Sequence, residues 1–304
     1  MTDSKGWSGF RSVLCPVDFS EFSRHALRSA VVVALRGKAA LRIMYVNDPL
    51  LVAAASAALH DRHLVERSAR ELKTFIDATV PAKTRARLRI TSCASTGVPA
   101  DRILTEANDR AADLIVLGTH GLTGVDRLLI GSTTLNVLQR TKVPVLAVPD
   151  GHERRGGLHP SRRIVAALDL DGAAAGEVDV AARVAQWFGS SLLLLHVISD
   201  IAAPAWLTGD LSAHERIRVA QAQQRLERLA VRAQRRVSTE ACVTCGRVAD
   251  EIAALAAAED TGLVIAALRD RRGWFGARRG SIAYHVLSHA VTPVLAYPSQ
   301  WRPR

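Results

Sequence analysis

Short β-prone runs alternate with longer amphipathic stretches along the first half of the chain. Residues 12–17, Leu41–Val46, 87–93, Leu114–Leu117 and Val145–Val148 read as five strands. Between them lie helical patterns. Ser20 is a plausible N-cap, and Leu27, Ala30, Val31, Ala34 and Leu35 then share one helical face. A longer helix carries Val65, Ala69, Leu72 and Ile76 on one side. Another starts near Pro99, a favoured first-turn residue, and a last one spans 132–140. Strands alternating with helices imply βαβ units, right-handed crossovers and a mainly parallel sheet. Near-continuous apolar strands such as LIVL (114–117) and SLLLLHV (191–197) fit a sheet covered on both faces. In such sheets ligands bind beyond the carboxyl ends of strands, where the strand order reverses.

The pattern then repeats. GSTTLNVLQRTKVPVLAVP, from Gly131 to Pro149, matches GSIAYHVLSHAVTPVLAYP, from Gly280 to Pro298, at nine of nineteen positions and an offset of 149 residues. At the same offset Gly97 meets Gly246, Asp101 meets Asp250 and Ile103 meets Ile252. Nearer the start, Val13–Asp18 aligns with Ile164–Asp169, and Leu41–Val46 with Leu192–Val197, at an offset of 151. A unit of about 150 residues is thus written twice, a period too long for a solenoid. The expected domains are 1–150 and 161–304, joined by a linker at 151–160 within the charged, glycine-rich seam DGHERRGGLHPSRR (150–163).

One loop carries candidate chemistry. VLGTHGLTGVDRLLIGST (116–133) runs from the fourth strand through Gly118, Gly121, Gly124 and Gly131 to Ser132 and Thr133 at the start of a helix. Glycines permit positive φ and a close approach to backbone N–H groups. Successive N–H groups form an anion nest, a helix N-terminus adds donors and dipole, and a hydroxyl adds one more donor. The loop is therefore suited to phosphate. It lacks the Gly-Lys-Ser/Thr of a Walker A loop and is not a G-x-G-x-x-G dinucleotide fingerprint. A tight strand-to-helix connection that merely needs glycines gives the same pattern. His120, inside the loop, reads as a solvated side chain, with contact to a phosphate or polarisation of a water as the sharper alternative.

Gly118-x-x-Gly121, nine residues, then Gly131-Ser132 resembles the G-2x-G-9x-G-(S/T) signature of the ATP-binding universal stress proteins. PVDFSEFSRHAL (16–27), GVPADRIL (97–104), DLIVLGTHG (113–121) and VPVLAVP (143–149) are similar to the same family, and the resemblance spans nearly the whole chain, twice over. It implies two tandem Rossmann-like, adenine nucleotide alpha hydrolase-like α/β domains, each a five-stranded mainly parallel sheet with helices on both faces. It also implies roles. Asp18 would contact the adenosine part, its carboxylate accepting from ribose hydroxyls. Val46 would meet the adenine through its main chain. Gly118, Gly121, Gly131 and Ser132 would hold ribose and phosphates. Thr133, in the first helical turn, extends that set. A helix-capping carboxylate is the other reading of Asp18. The implied ligand is ATP, with Mg2+ as a companion cation that keeps several waters.

The second repeat departs from this signature. Ala267 stands at the Gly118 position and Asp270 at the Gly121 position, in the loop LRDRRGWFGARRG (268–280). Asp169, Val197, Gly280 and Ser281 survive and would form a second, degenerate or altered site. Aspartate opposes phosphate there, whereas Arg269, Arg271, Arg272, Arg278 and Arg279 attract it.

Composition narrows the remaining classes. The chain has 304 residues, 48% hydrophobic and 5% aromatic, enough for sizeable cores built from Ala, Val, Leu and Ile. A net charge of +11 suits polyanions, although biased composition also yields surplus arginine. The Arg-rich stretch ERIRVAQAQQRLERLAVRAQRR (215–236) reads as a solvated helix face. Nucleic-acid recognition would want interleaved aromatics that it lacks. Cys242-Val-Thr-Cys245 matches C-x-x-C, but in a strand residues i and i+3 face opposite ways, so these thiols are read as structural. His60 with His63, and His285 with His289, have helical spacing without a matching ligand set, so no metal site is assigned. No nucleophile elbow or acid–base carboxylate pair is present, so no catalytic residue is assigned. The start MTDSKGWSGFRSVLC has no apolar signal core, and no apolar run reaches the roughly 20 residues of a membrane helix. The expectation is a cytoplasmic protein with reduced thiols.

Three functions compete on this reading. The first is a nucleotide-responsive stress-signalling module without strong catalysis. The second is a slow ATPase or nucleotidyl-transferring enzyme at the same site. The third is a polyanion-binding protein using the basic surface. The expected assembly is an intramolecular pseudo-dimer in which the apolar strands 143–148 and 292–297 hide each other's edges, with a homodimer of the full chain as a further level.

Overall fold

The computed structural model describes residues 7–58, 63–120, 130–149, 158, 162–199, 212–258, 261–268, 286–287 and 291–303. Contacts divide the chain into two units: Ser8–Leu158 with Leu295–Trp301, and His159–Val294 with Trp7, Arg302 and Pro303. The last strand is written in the second repeat yet clusters with the first unit.

The first unit contains β1 (Ser12–Val17), α1 (Glu21–Gly37), β2 (Ala40–Asn47), α2 (Pro49–Ala58), α3 (Leu64–Thr79), α4 (Ala82–Arg85), β3 (Arg89–Thr96), α5 (Pro99–Asp109), β4 (Leu114–Gly118), α6 (Ser132–Arg140) and β5 (Val145–Val148). Its strand order is β3-β2-β1-β4-β5, followed by β10 (Val294–Pro298). β1 pairs in parallel with β2 (Val13 opposite Leu41) and with β4 (Val13 opposite Leu114), and β4 pairs in parallel with β5. The chain steps outward from β1 to β3, then returns to the other side of β1 as β4. The order therefore reverses between β1 and β4. Val13, Leu14 and Cys15 are all buried although successive side chains face opposite ways, so both faces of the sheet are covered.

The second unit contains β6 (Arg163–Ala167), α7 (Ala174–Phe188), β7 (Leu192–Ile198), α8 (Ser212–Gln234), β8 (Thr239–Cys245), α9 (Val248–Ala258) and β9 (Thr261–Leu268). Its order, β9-β6-β7-β8, repeats the arrangement around β1, again in parallel. The two units are thus tandem α/β domains with mainly parallel sheets.

The helices follow from local chemistry. Ser20 caps α1 by accepting the N–H of Ser23, and its φ of −72° and ψ of 162° are extended, as a cap requires. Pro99 opens α5 at a position whose N–H needs no partner. Gly97 and Gly246 hold φ of +152° and +139°, at equivalent points of the two repeats. Each gives its N–H to the end of the neighbouring strand, at Asn47 O and Ile198 O. That shared turn explains why a glycine recurs at this offset.

Three expectations change. The buried face of α3 is Ser68, Leu72, Phe75, Ile76 and Thr79; Ala69 is exposed and Val65 half-buried. β3 starts two residues later than expected and runs on to Thr96. α2, in PLLVAAASAA, was hidden by a run of apolar residues without amphipathic period; most of it is exposed. Among the described residues no helix is long and apolar enough to cross a membrane.

Candidate functional site

The switch in strand order opens a cavity of about 430 Å³ at the carboxyl ends of β1, β2 and β4. Asp18, Val46, Gly118, Gly131, Ser132 and Thr133, six residues separated by up to 115 positions, all line it. Gly121 lies outside the described residues.

Asp18 follows β1 directly. Its Oδ1 accepts from the Ser20 N–H at 3.1 Å and the Ser20 hydroxyl at 2.5 Å. The same Ser20 hydroxyl oxygen accepts the Ser23 N–H at 3.2 Å. Between them Phe19 is left-handed, with φ of +66°. A bulky residue there costs about 1–3 kcal/mol, and such outliers cluster at ligand sites. The turn places the Phe19 ring 4.4 Å from Tyr45 and edge-on to Phe75 at 5.6 Å. The guanidinium of Arg24 sits 4.6 Å over Phe75. Of this aromatic group, Tyr45 forms part of the cavity wall. Burial, and then the charge of Asp18, push the Tyr45 phenol above its ordinary range.

Gly118 and Gly131 differ from the expected role of glycine. Neither has a positive φ; Gly131 is at −55°. Gly118 is constrained by crowding. A Cβ there would sit 3.2 Å from the carbonyl carbon and Cβ of Phe22 and from the carbonyl oxygen of His120. Absence of a side chain at Gly118 lets β4 pass the first turn of α1, which also keeps that turn against the cavity.

The loop's two ends are joined. The Gly131 N–H donates to Thr119 O at 2.8 Å, the Thr119 N–H to Val148 O at 3.0 Å, and the Thr134 hydroxyl to Gly118 O at 2.7 Å. α6 then starts at Ser132 with no side-chain cap. Its first-turn N–H groups, which have no intrahelical acceptor, lie at the cavity with the positive end of the helix dipole. Exposed Ser132 and half-buried Thr133 add hydroxyls.

Sequence reasoning missed two wall residues, Tyr45 and Asp48, and read a third, His120, first as a solvated loop side chain. Tyr45 precedes Val46 on β2. Asp48 follows it, and its Oδ1 accepts the Leu50 N–H at 2.7 Å as a cap on α2. His120 reaches the wall beside Gly118, with Nδ1 2.8 Å from the Thr119 hydroxyl. Its Nε2 is buried with no hydrogen-bond partner among the described residues. For Tyr45 and Asp48 the available signal was Val46 of β2, which lies between them in the chain. The cavity is therefore polarised, with carboxylates of Asp18 and Asp48 at the β1 and β2 ends, and amides and hydroxyls at the α6 end.

The equivalent region of the second unit is less complete. Val197 lines an open cavity of about 440 Å³, but Asp169 does not. Gly280, Ser281 and the arginine-rich loop lie outside the described residues, as do His60, His285 and His289.

Known proteins of similar sequence agree with the repeat. A universal stress protein of Mycolicibacterium smegmatis is 26% identical over 300 residues, covering 93% of this chain and 95% of that one. One from Methanocaldococcus jannaschii is 33% identical over 143 residues, 46% of this chain and 82% of its own. In fold, the chain is similar to a universal stress protein from Archaeoglobus fulgidus, with a TM-score of 0.62 at 18% identity over 96% of this chain and 97% of that one. It is also similar to a functionally unknown protein from Pseudomonas aeruginosa, with a TM-score of 0.64 at 16% identity over 96% and 94%. The family domain occurs once in residues 9–149 and again in 160–298, and the chain belongs to the universal stress protein family.

Proposed function

We propose that the first unit binds ATP and that the protein is a nucleotide-responsive module rather than a committed enzyme. The observation that carries this reading is the convergence of Asp18, Val46, Gly118, Gly131, Ser132 and Thr133 on one cavity at the strand-order switch. The polarity supports the assignment of ends. Asp18 accepts from ribose hydroxyls, the Val46 main chain meets the base, and the amides and hydroxyls at α6 hold phosphate. Gly121 belongs to the phosphate end on sequence grounds. The carboxylates of Asp18 and Asp48 at one end and a phosphate cradle at the other suit a ligand with donors on one side and charge on the other. Mg2+, when bound, would neutralise phosphate charge. Bound ATP stabilises the folded state by mass action, which is the simplest way for nucleotide level to be read out.

Hydrolysis is the second reading, favoured by one observation, the unpartnered Nε2 of His120 at the cavity wall. The pseudo-dimer and homodimer belong to the same proposal. Light scattering of the whole chain reads the second.

The test is to denature the purified protein and identify released small molecules by mass spectrometry, counting moles per chain, then to titrate ATP back. An adenine nucleotide near one per chain, lost in Ser132→Ala, supports the reading. A purely polyanion-binding protein would instead lose affinity steeply with salt and ignore Ser132→Ala. ATP turnover by the wild type, lost in His120→Ala, would replace the module with the enzyme.

A further inference from the structure

The geometry points to a second ligand site, for an extended phosphoryl anion, on the open cavity of the second unit. Its wall differs in charge from that of the first. The Tyr45 position is His196 and the Asp48 position is Ser199. Two guanidiniums stand on this wall. Arg218 and Arg225 both line the cavity, seven residues apart on α8, roughly 10 Å along the helix axis. Ala222 and Gln221 lie on the same wall between them.

Neither arginine is neutralised among the described residues. Arg218 donates to Ser199 O at 3.4 Å, after β7, and Arg225 to Asp171 O at 3.3 Å, after β6. Both bonds go to main-chain carbonyls, so among the described residues no carboxylate pairs with either guanidinium. Each guanidinium keeps further N–H donors, arranged as a fork that matches phosphate oxygens. His196 adds a third basic group. Its Nδ1 lies 2.9 Å from Leu168 O, and a carbonyl can only accept, so Nδ1 carries the hydrogen. Two cations two helical turns apart select a ligand bearing two or more phosphoryl groups over a single phosphate. This site needs no glycine loop, which is consistent with Ala267 and Asp270 standing where the first repeat has glycines.

Inorganic tripolyphosphate and ATP are the two probes, titrated separately into the full chain at fixed ionic strength by calorimetry. Arg218→Ala and Arg225→Ala should each weaken tripolyphosphate binding about tenfold or more. Arg228→Ala removes the same charge from α8, where Arg228 bonds to Gln224 O and lies off the cavity wall among the described residues, and should change it less than twofold. Each arginine variant is also made in a Ser132→Ala background, so that tripolyphosphate held by the first unit's cradle is separated from binding in the second unit. A response of both probes to the cavity arginines identifies the phosphate as free or nucleotide-borne, and of tripolyphosphate alone as free; either supports the site. Equal losses in all three arginine variants would mean diffuse attraction and overturn it. So would tripolyphosphate binding that responds only to Ser132→Ala, or no binding at all. Should Arg218→Ala lower the melting temperature, Arg218→Gln replaces it. Loss of ATP binding at Ser132 alone would leave this site standing.

Discussion

The hydroxyl of Thr134 donates to the carbonyl oxygen of Gly118 across 2.7 Å, tying the first turn of α6 to the last residue of β4. Thr134 is buried, and its bond fixes where the α6 amides stand relative to the strand ends. Thr134→Val keeps the shape and removes the donor, leaving a buried carbonyl with one partner fewer. That change is expected to cost about 1–3 kcal/mol, read as a lower midpoint in urea. ATP affinity should fall with it, because the cradle moves. An unchanged midpoint would mean that the loop closure rests on the Gly131–Thr119 bond instead.

Ser132 and Gly118 both belong to the glycine motif but should behave differently. Ser132 is exposed and its hydroxyl holds no partner among the described residues, so Ser132→Ala should leave stability within about 0.5 kcal/mol. Its phosphate bond would be charge-assisted, worth about 1.5–3 kcal/mol, so affinity should drop tenfold or more. Gly118→Ala presses a methyl to 3.2 Å from the backbone of α1 and should destabilise by about 1–3 kcal/mol with or without ligand. Parallel melting curves and ATP titrations separate the two. A stability loss in Ser132→Ala would remove it as a clean reporter.

That contrast marks how far the sequence could be read. β1, α6 and β5 fall where hydrophobic pattern and capping put them, and the repeat announces two like units. The motif residues converge because strand ends gather at a switch point whatever their separation along the chain. The reason for Gly118 was not legible, because crowding by Phe22 is a tertiary fact and not a backbone preference. Phe19 in a left-handed turn was equally hidden, since no local rule asks a phenylalanine to adopt it. The face of α3 was shifted because polar Ser68 and Thr79 are buried, where they bond Asn47 Oδ1 and Phe75 O.

The four cysteines should label in a graded order. Cys245 is exposed, Cys93 and Cys242 are half-buried, and Cys15 is fully buried in β1. Burial raises the Cys15 thiol far above its ordinary range, which suppresses the reactive thiolate. Burial raises Cys93 as well, and nearby Arg42 offsets part of that. Titration with a chromogenic disulfide in buffer should show Cys245 as the fastest thiol and Cys15 silent until denaturant is added. Rapid reaction of all four in the native protein would contradict the buried position of β1.

Tyr45 offers a pH-dependent readout of the cavity. Its phenol is held above its ordinary value of about 10, first by burial and second by the charge of Asp18. Because the folded state disfavours tyrosinate, stability falls as pH rises from that ordinary value through the folded one. Below it, Tyr45 contributes no pH dependence. Asp18→Asn removes the second cause and keeps the first. The tyrosinate absorbance of Tyr45, isolated by subtracting a Tyr45→Phe variant from the three tyrosines of the chain, should shift to lower pH in Asp18→Asn without returning to the ordinary value. The loss of stability in alkali should begin at the same pH and be smaller. A midpoint unmoved by Asp18→Asn would mean that the carboxylate does not face the phenol, and would detach Asp18 from the cavity wall on which the nucleotide proposal depends.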